Sequence, residues 1–177
     1  MSTAYTSLLG LALPTTGELD GAWGTTVNDA ITGLLDTAVA GTTTLSTDAD
    51  VTLTTTTGAA NQARQAVLLC SGARTALRTI TAPAQSKTYT VINATTGGFG
   101  VKLVGVGPTT GVTIGNGKKA LVAWDGSDFV VVSSTDLSFS TGTLPVANGG
   151  TALTAAPTNG QLLVGNGTGY TLSLIHI

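Results

Sequence analysis

The sequence predicts a mainly β protein: a short N-terminal arm and helix, an antiparallel β-sandwich-like module, and an extended Gly/Thr-rich shaft. Three observations carry that expectation. Thr and Gly together make a third of the 177 residues; β-branched residues suit a pleated surface and glycines suit turns. The stretch 65–134 is a series of short apolar runs separated by turn sequences. Helical periodicity is convincing in one place only, between residues 25 and 41. Charged residues are 9%, where about 25% is usual, and mean hydropathy is +0.36. The Val-rich centre therefore has the composition of a packed module and not of a disordered chain.

In chain order, Ser7–Trp23 loses its apolar character at Pro14 and is rich in turn formers from Thr15 to Gly21. It reads as an extended arm leading into a helix. Thr25 or Thr26 caps that helix, Asp29 sits in its first turn near the positive end of the macrodipole, and Gly41 stops it. Val27, Ile31, Leu34 and Ala38 repeat at 4-3-4 spacing along one stripe. The stripe suits packing on the chain's own sheet, or a short coiled-coil seam. Trp23, just before it, reads as a packing anchor.

From Thr42 the period changes to strands. Two Thr-rich runs, from Thr42 and from Val51, flank a turn at Asp48–Asp50. Next come Ala66–Cys70, Leu77–Thr81, Lys87–Asn93, Val101–Val106, Val112–Ile114, Lys119–Trp124 and Phe129–Ser134. Asn93–Gly98, Gly115–Gly117 and Asp125–Gly126 fall between runs, where hairpin turns belong. Strands at this spacing with no helix between them point to an antiparallel sandwich or barrel, and the reading is a compact sandwich. Beyond Ser134, Leu144–Thr151 and Leu162–Thr168 are loose copies of one apolar-then-Asn-Gly-Thr unit. Such a unit is too poor in bulk to build a core alone: it is disordered as a monomer, or ordered by winding against copies of itself. The expected organisation is 1–44 arm and helix, 45–134 sandwich, 135–171 shaft, and 172–177 a foreign tail.

No catalytic, cofactor-binding or metal site is expected. The one histidine, His176, stands at the extreme end, so no Ser-His or Cys-His pair forms. Cys70 lies in an apolar run and reads as a buried thiol. Gly115–Lys119 lacks the first Gly and the Ser/Thr of a phosphate loop. Asp125 with Asp128, Asp48 with Asp50, and Glu18 with Asp20 are carboxylate pairs without a third ligand, where Ca²⁺ takes six or more oxygens. Asn93–Thr95 and Asn166–Thr168 match the glycosylation sequon, with no sign of a secretory route. Trp124, Tyr89 and Phe129 read as core aromatics and not as a sugar-stacking platform. A formal charge of −2 without a basic run gives no footprint for nucleic acid. No apolar run reaches membrane-spanning length, and the start lacks a basic signal-peptide region.

Three stretches resemble bacteriophage tail-fibre and related virion proteins. Thr16-Gly-Glu18…Gly21-Ala-Trp23-Gly24…Asn28 is similar to the opening of many phage tail structural proteins. Tyr89…Asn93-Ala-Thr-Thr-Gly97-Gly98…Gly115-Asn-Gly117-Lys118…Asp125-Gly126 is similar to a small β-module that often follows. Leu144-Pro-Val-Ala-Asn-Gly-Gly-Thr151 through Gln161-Leu-Leu-Val-Gly-Asn-Gly-Thr-Gly-Tyr170 looks like a fibre-shaft segment, departing from it at Ala152, where Gly is usual. The resemblance implies a virion component made in the host cytoplasm and commonly a homotrimer. Its N-terminal part would face tail or baseplate proteins, and a bacterial surface receptor would be met through a C-terminal tip missing here. Two alternatives are the anchor of a tailspike with a polysaccharide-degrading domain downstream, and a cellular surface adhesin. Leu172–Ile177 resembles the translation of a transposase adapter used in sequencing libraries, so His176 carries no functional weight.

Overall fold

The computed structural model of the protein describes residues 3–134 and 161–174, with positions 146, 150, 151, 153 and 158 between them. The chain divides into two compact units, 1–137 and 138–177. The fold is mainly β with a single long helix, as expected.

The start of the chain folds back on itself. β1 (Ala4–Tyr5) pairs antiparallel with β2 (Ala12–Leu13), and Gly10 makes the turn with a positive φ of 56°. The helix that follows begins at Trp23, earlier than Thr25 or Thr26 would have it, and no side chain caps it. It runs as α1 (Trp23–Val27), a π-helical turn over Asn28–Thr32, and α2 (Gly33–Ala40). Asp29 thus lies in the π turn and not at the helix start. The stop at Gly41 holds: its N–H donates to Thr37 O at 2.9 Å, and its backbone is already extended. Of the apolar stripe only Leu34 is buried; Val27, Ile31 and Ala38 are half-buried. Trp23 is 62% exposed and anchors nothing.

The central strands are β3 (Thr42–Leu45), β4 (Val51–Thr52), β5 (Val67–Cys70), β6 (Arg78–Ala82), β7 (Thr88–Asn93), β8 (Val101–Gly105), β9 (Val112–Ile114), β10 (Lys119–Trp124) and β11 (Phe129–Ser134). The expected boundary at residue 45 falls inside β3. Two sheets form, in the orders β11-β10-β7-β5-β3 and β4-β6-β8-β9. The two-sheet architecture agrees with the sequence, but the pairing direction does not. β3, β5 and β7 are mutually parallel, and so are β4, β6 and β8. The chain places one strand in each sheet per turn and winds upward three times, as a two-sided solenoid. Antiparallel pairing enters only at the end, where β9 pairs with β8, and β10 joins β7 to β11.

This winding explains the mistaken direction. A parallel pair within one sheet needs a long crossover, usually a helix. Here the crossover is a strand of the opposite sheet, so turns stay short while neighbours run parallel. The turns at Asn93–Gly98 and Gly115–Gly117 accordingly connect different sheets (β7 to β8, β9 to β10) and are not hairpins. Asp125–Gly126 does close a hairpin, β10–β11.

Inner-facing residues alternate along each strand and stack between turns. Thr43, Leu68, Val91 and Ala120 are register partners across the first sheet, all buried. Ile80, Leu103 and Val112 do the same across the second. Tyr89 and Phe129 complete the core with ring centres 5.7 Å apart. Leu68 is wholly buried in the middle of the stack, so Leu68→Ala is expected to lower unfolding free energy by about 2–5 kcal/mol, read by urea denaturation.

In the unit 138–177, β12 (Gln161–Gly165) and β13 (Tyr170–Leu174) form an antiparallel hairpin. The second Asn-Gly-Thr copy is its turn: Asn166 Oδ1 accepts the Thr168 and Gly169 N–H groups at 3.1 and 2.8 Å. Leu162 and Leu163 are exposed. Most of the first copy and His176 lie outside the described residues.

Candidate functional site

The corners of the winding are held by basic side chains capping backbone carbonyls. At the start of the solenoid, Arg74 is buried; its Nη2 donates to Leu45 O at 2.7 Å and its Nη1 to Ser46 O at 3.0 Å. Beside it Asp48 accepts from Arg78 Nε at 2.7 Å and from Thr75 Oγ1 at 2.7 Å. The hydrogen bond from Arg78, then that from Thr75, hold the Asp48 carboxyl well below the usual carboxylate range. Asp50 accepts the Thr79 N–H at 2.8 Å. Arg74, Arg78 and Asp50, together with Leu45, Cys70, Ile80 and Val101, line a cavity of about 290 Å³ between the sheets.

The chemistry of this corner is structural. Both carboxylates are occupied by neighbours across the turn, and no group of three metal-ligating side chains exists among the described residues. Cys70 is buried, and desolvation pushes its thiol up to about 11, so at neutral pH it stays protonated.

The remaining candidates follow the same pattern. Asp125 Oδ1 accepts the N–H groups of Ser127 and Asp128 at 2.8 and 3.0 Å, which lowers its pKa and shapes the β10–β11 turn. Asp128 accepts three N–H groups, from Gly105 (3.0 Å), Gly111 (2.6 Å) and Phe129 (2.8 Å), tying that turn to the β8–β9 hairpin. Both carboxylates are engaged by backbone N–H groups of these turns. Glu18 Oε2 accepts the Thr15 N–H at 3.0 Å, which lowers its pKa and closes a turn in the arm. Asn93, the first sequon asparagine, is buried: Nδ2 donates to Ile114 O at 2.9 Å and Oδ1 accepts from Thr95 Oγ1 at 2.6 Å. A glycan has no access to it. Trp124 packs edge-on against Phe129 at 5.5 Å, so the aromatics fill the core.

Sequence reasoning missed Arg64 and Arg74 as buried groups and Lys87 as a half-buried one. Arg64 Nε and Nη2 donate to Ala59 O and Thr56 O at 2.9 and 3.0 Å. Lys87 Nζ donates to Ala63 O at 2.9 Å and to Arg64 O. One signal could have found them. All seven bases lie between Val51 and Trp124, a stretch without an acidic residue, so most had to find neutral partners. Comparison of the chain with protein-family models, with curated proteins and with solved structures gives no match.

Two outcomes check this account. Cys70 should react with a thiol reagent far more slowly in the native protein than in urea, because burial hides it and suppresses the thiolate. The Asp48 carboxyl is depressed in the folded state, so its contribution to stability is present above the unfolded value of about 3.9 and is lost as pH falls through that range. Asp48→Asn should therefore flatten the acid limb of a stability–pH curve, read by thermal melts across pH.

Proposed function

We propose that this chain is a structural component of a bacteriophage tail fibre, linking the tail to a host-recognition tip further along the protein. In this reading the segment catalyses nothing, belongs to the virion, and assembles as a homotrimer against tail or baseplate proteins. The structural observation that carries it is the helix Trp23–Ala40. Among its residues only Leu34 is buried, while Trp23, Leu35 and Val39 stand in water, Val39 at 78% exposure. Leu35 and Val39 are four residues apart and so adjoin on the helix surface.

A single chain gains little from ordering such a helix, because most helical stability in proteins comes from packing an apolar face. A second and third copy would cover it. The solenoid adds a supporting feature: β3 and β4 end their sheets with open parallel edges, which another chain can cover. The two-stranded hairpin β12–β13, with Leu162, Leu163, Val164 and Tyr170 exposed, is marginal alone and suits a segment that is completed by neighbours. The likeness of Thr16–Asn28 and Leu144–Tyr170 to tail-protein and fibre-shaft sequences supplies the biological setting.

Light scattering at tens of micromolar checks the assembly: three chains per particle are expected, and Leu35→Asp with Val39→Asp should shift the population towards monomer while leaving β-sheet circular dichroism unchanged. A wild-type monomer at that concentration, with residues 138–171 readily cut by protease, overturns the trimer.

A further inference from the structure

Arg78 reaches a carboxylate, Asp48, but Arg64 and Lys87 do not. These two bases are folded side by side beneath the tip of the N-terminal hairpin, on the wall of a cavity of about 230 Å³. Its polar lining includes Ser7, Thr57, Asn61 and Gln85, and none of its lining residues is acidic. Arg64 is only 7% exposed. Its Nε and Nη2 are taken by carbonyl oxygens, and Nη1 has no protein partner among the described residues. Lys87 Nζ donates to two carbonyls and lies 4.8 Å from the centre of the Tyr89 ring. Neutral carbonyls satisfy donors, yet two like charges remain desolvated together, an arrangement that costs free energy until an anion compensates it.

We propose that this cavity binds a small hydroxyl-bearing carboxylate, with Arg64 and Lys87 holding the carboxylate and the Ser7, Thr57, Asn61 and Gln85 side chains meeting the hydroxyls. Arginine and lysine form charge-assisted hydrogen bonds to carboxylate, stronger than neutral ones. The volume lies below the roughly 300–1,000 Å³ of drug-sized sites, which suits one small ring and not an oligomer. One wall is the hairpin tip Ser7–Gly10 and the other is the solenoid loop Thr55–Arg64 with Pro83–Lys87. An occupant would therefore fasten the hairpin to the solenoid. The inference rests on this cavity and is independent of any role in a fibre.

The site has a pH signature. Burial first, and then the Arg64 charge, push the Lys87 ammonium down to about 8. Its other titratable neighbour, Tyr89, has its phenol raised by burial and donates to Ala63 O at 2.7 Å, so it stays protonated throughout. Binding should be strong below pH 8 and weaken as pH rises through it. By linkage, a bound carboxylate must raise the Lys87 pKa.

The test is NMR on the full chain, following the Lys87 side-chain carbon shift against pH and the amides of Ser7–Gly10. Glucuronate, acetate and inorganic phosphate are added in separate titrations. With glucuronate at tens of millimolar the Lys87 midpoint should rise by about one pH unit, equivalent to about tenfold weaker binding once Lys87 is neutral. The Ser7–Gly10 amides should move with it, and acetate should bind more weakly. No movement of Lys87 with glucuronate overturns the site. Equal binding of acetate or phosphate overturns the assignment to a hydroxyl-bearing carboxylate. Lys87→Met should abolish the glucuronate-induced movement of the Ser7–Gly10 amides; the wild-type titration stands whether or not that variant folds.

Discussion

The parallel register that sets Leu68 opposite Val91, and Leu69 opposite Ile92, governs the rest of this molecule. A slip of one residue would turn every inner side chain of β5 outward, and with it Cys70, Leu68 and the corner that Arg74 closes. Because each turn of the winding copies the register of the one below, the same constraint positions Ile80 against Leu103 in the opposite sheet. The antiparallel strands β9–β11 then cap the winding, and Tyr89, Phe129 and Trp124 fill the space there with tilted rings instead of continuing the aliphatic stack.

A winding of short strands creates many sharp corners, and each corner leaves carbonyl oxygens without ladder partners. The chain satisfies them with long basic side chains: Arg74 at Leu45 and Ser46, Arg64 at Thr56 and Ala59, Lys87 at Ala63. Asp128 and Asp48 do the converse for N–H groups. Charged residues are scarce in this protein, and those in the solenoid act mainly as backbone caps. The carboxylates singled out by spacing are used in the same way, Asp48 and Asp50 at one corner and Asp125 and Asp128 at another. Capping by bases also concentrates positive charge under the N-terminal hairpin, where two caps share one cavity.

Much of the β content was legible. Val112–Ile114, Lys119–Trp124 and Phe129–Ser134 are strands with the bounds their apolar runs suggest, and Lys87–Asn93 and Val101–Val106 miss by a residue. Within those runs Tyr89 and Val91, and Val101 and Leu103, stand two apart and are buried, as one face of a strand requires. The helix was legible in place but not in environment, since its 4-3-4 stripe specifies a face and not what covers it. Cys70 was legible as a buried thiol because its run, Val67-Leu-Leu-Cys-Ser71, is apolar and carries no charge.

What the sequence determined by itself is therefore local: which residues extend, which turn, and which face of each strand is apolar, because period and residue shape act within a few positions. Only the tertiary structure decided direction and partnership. Parallel and antiparallel ladders place the same Val and Thr residues on the same pleat, and a short turn to an opposite sheet reads like a hairpin turn. Nothing local distinguishes a base exposed to water from Arg64 or Lys87 folded over a carbonyl, because that choice depends on corners that exist only once the chain has wound.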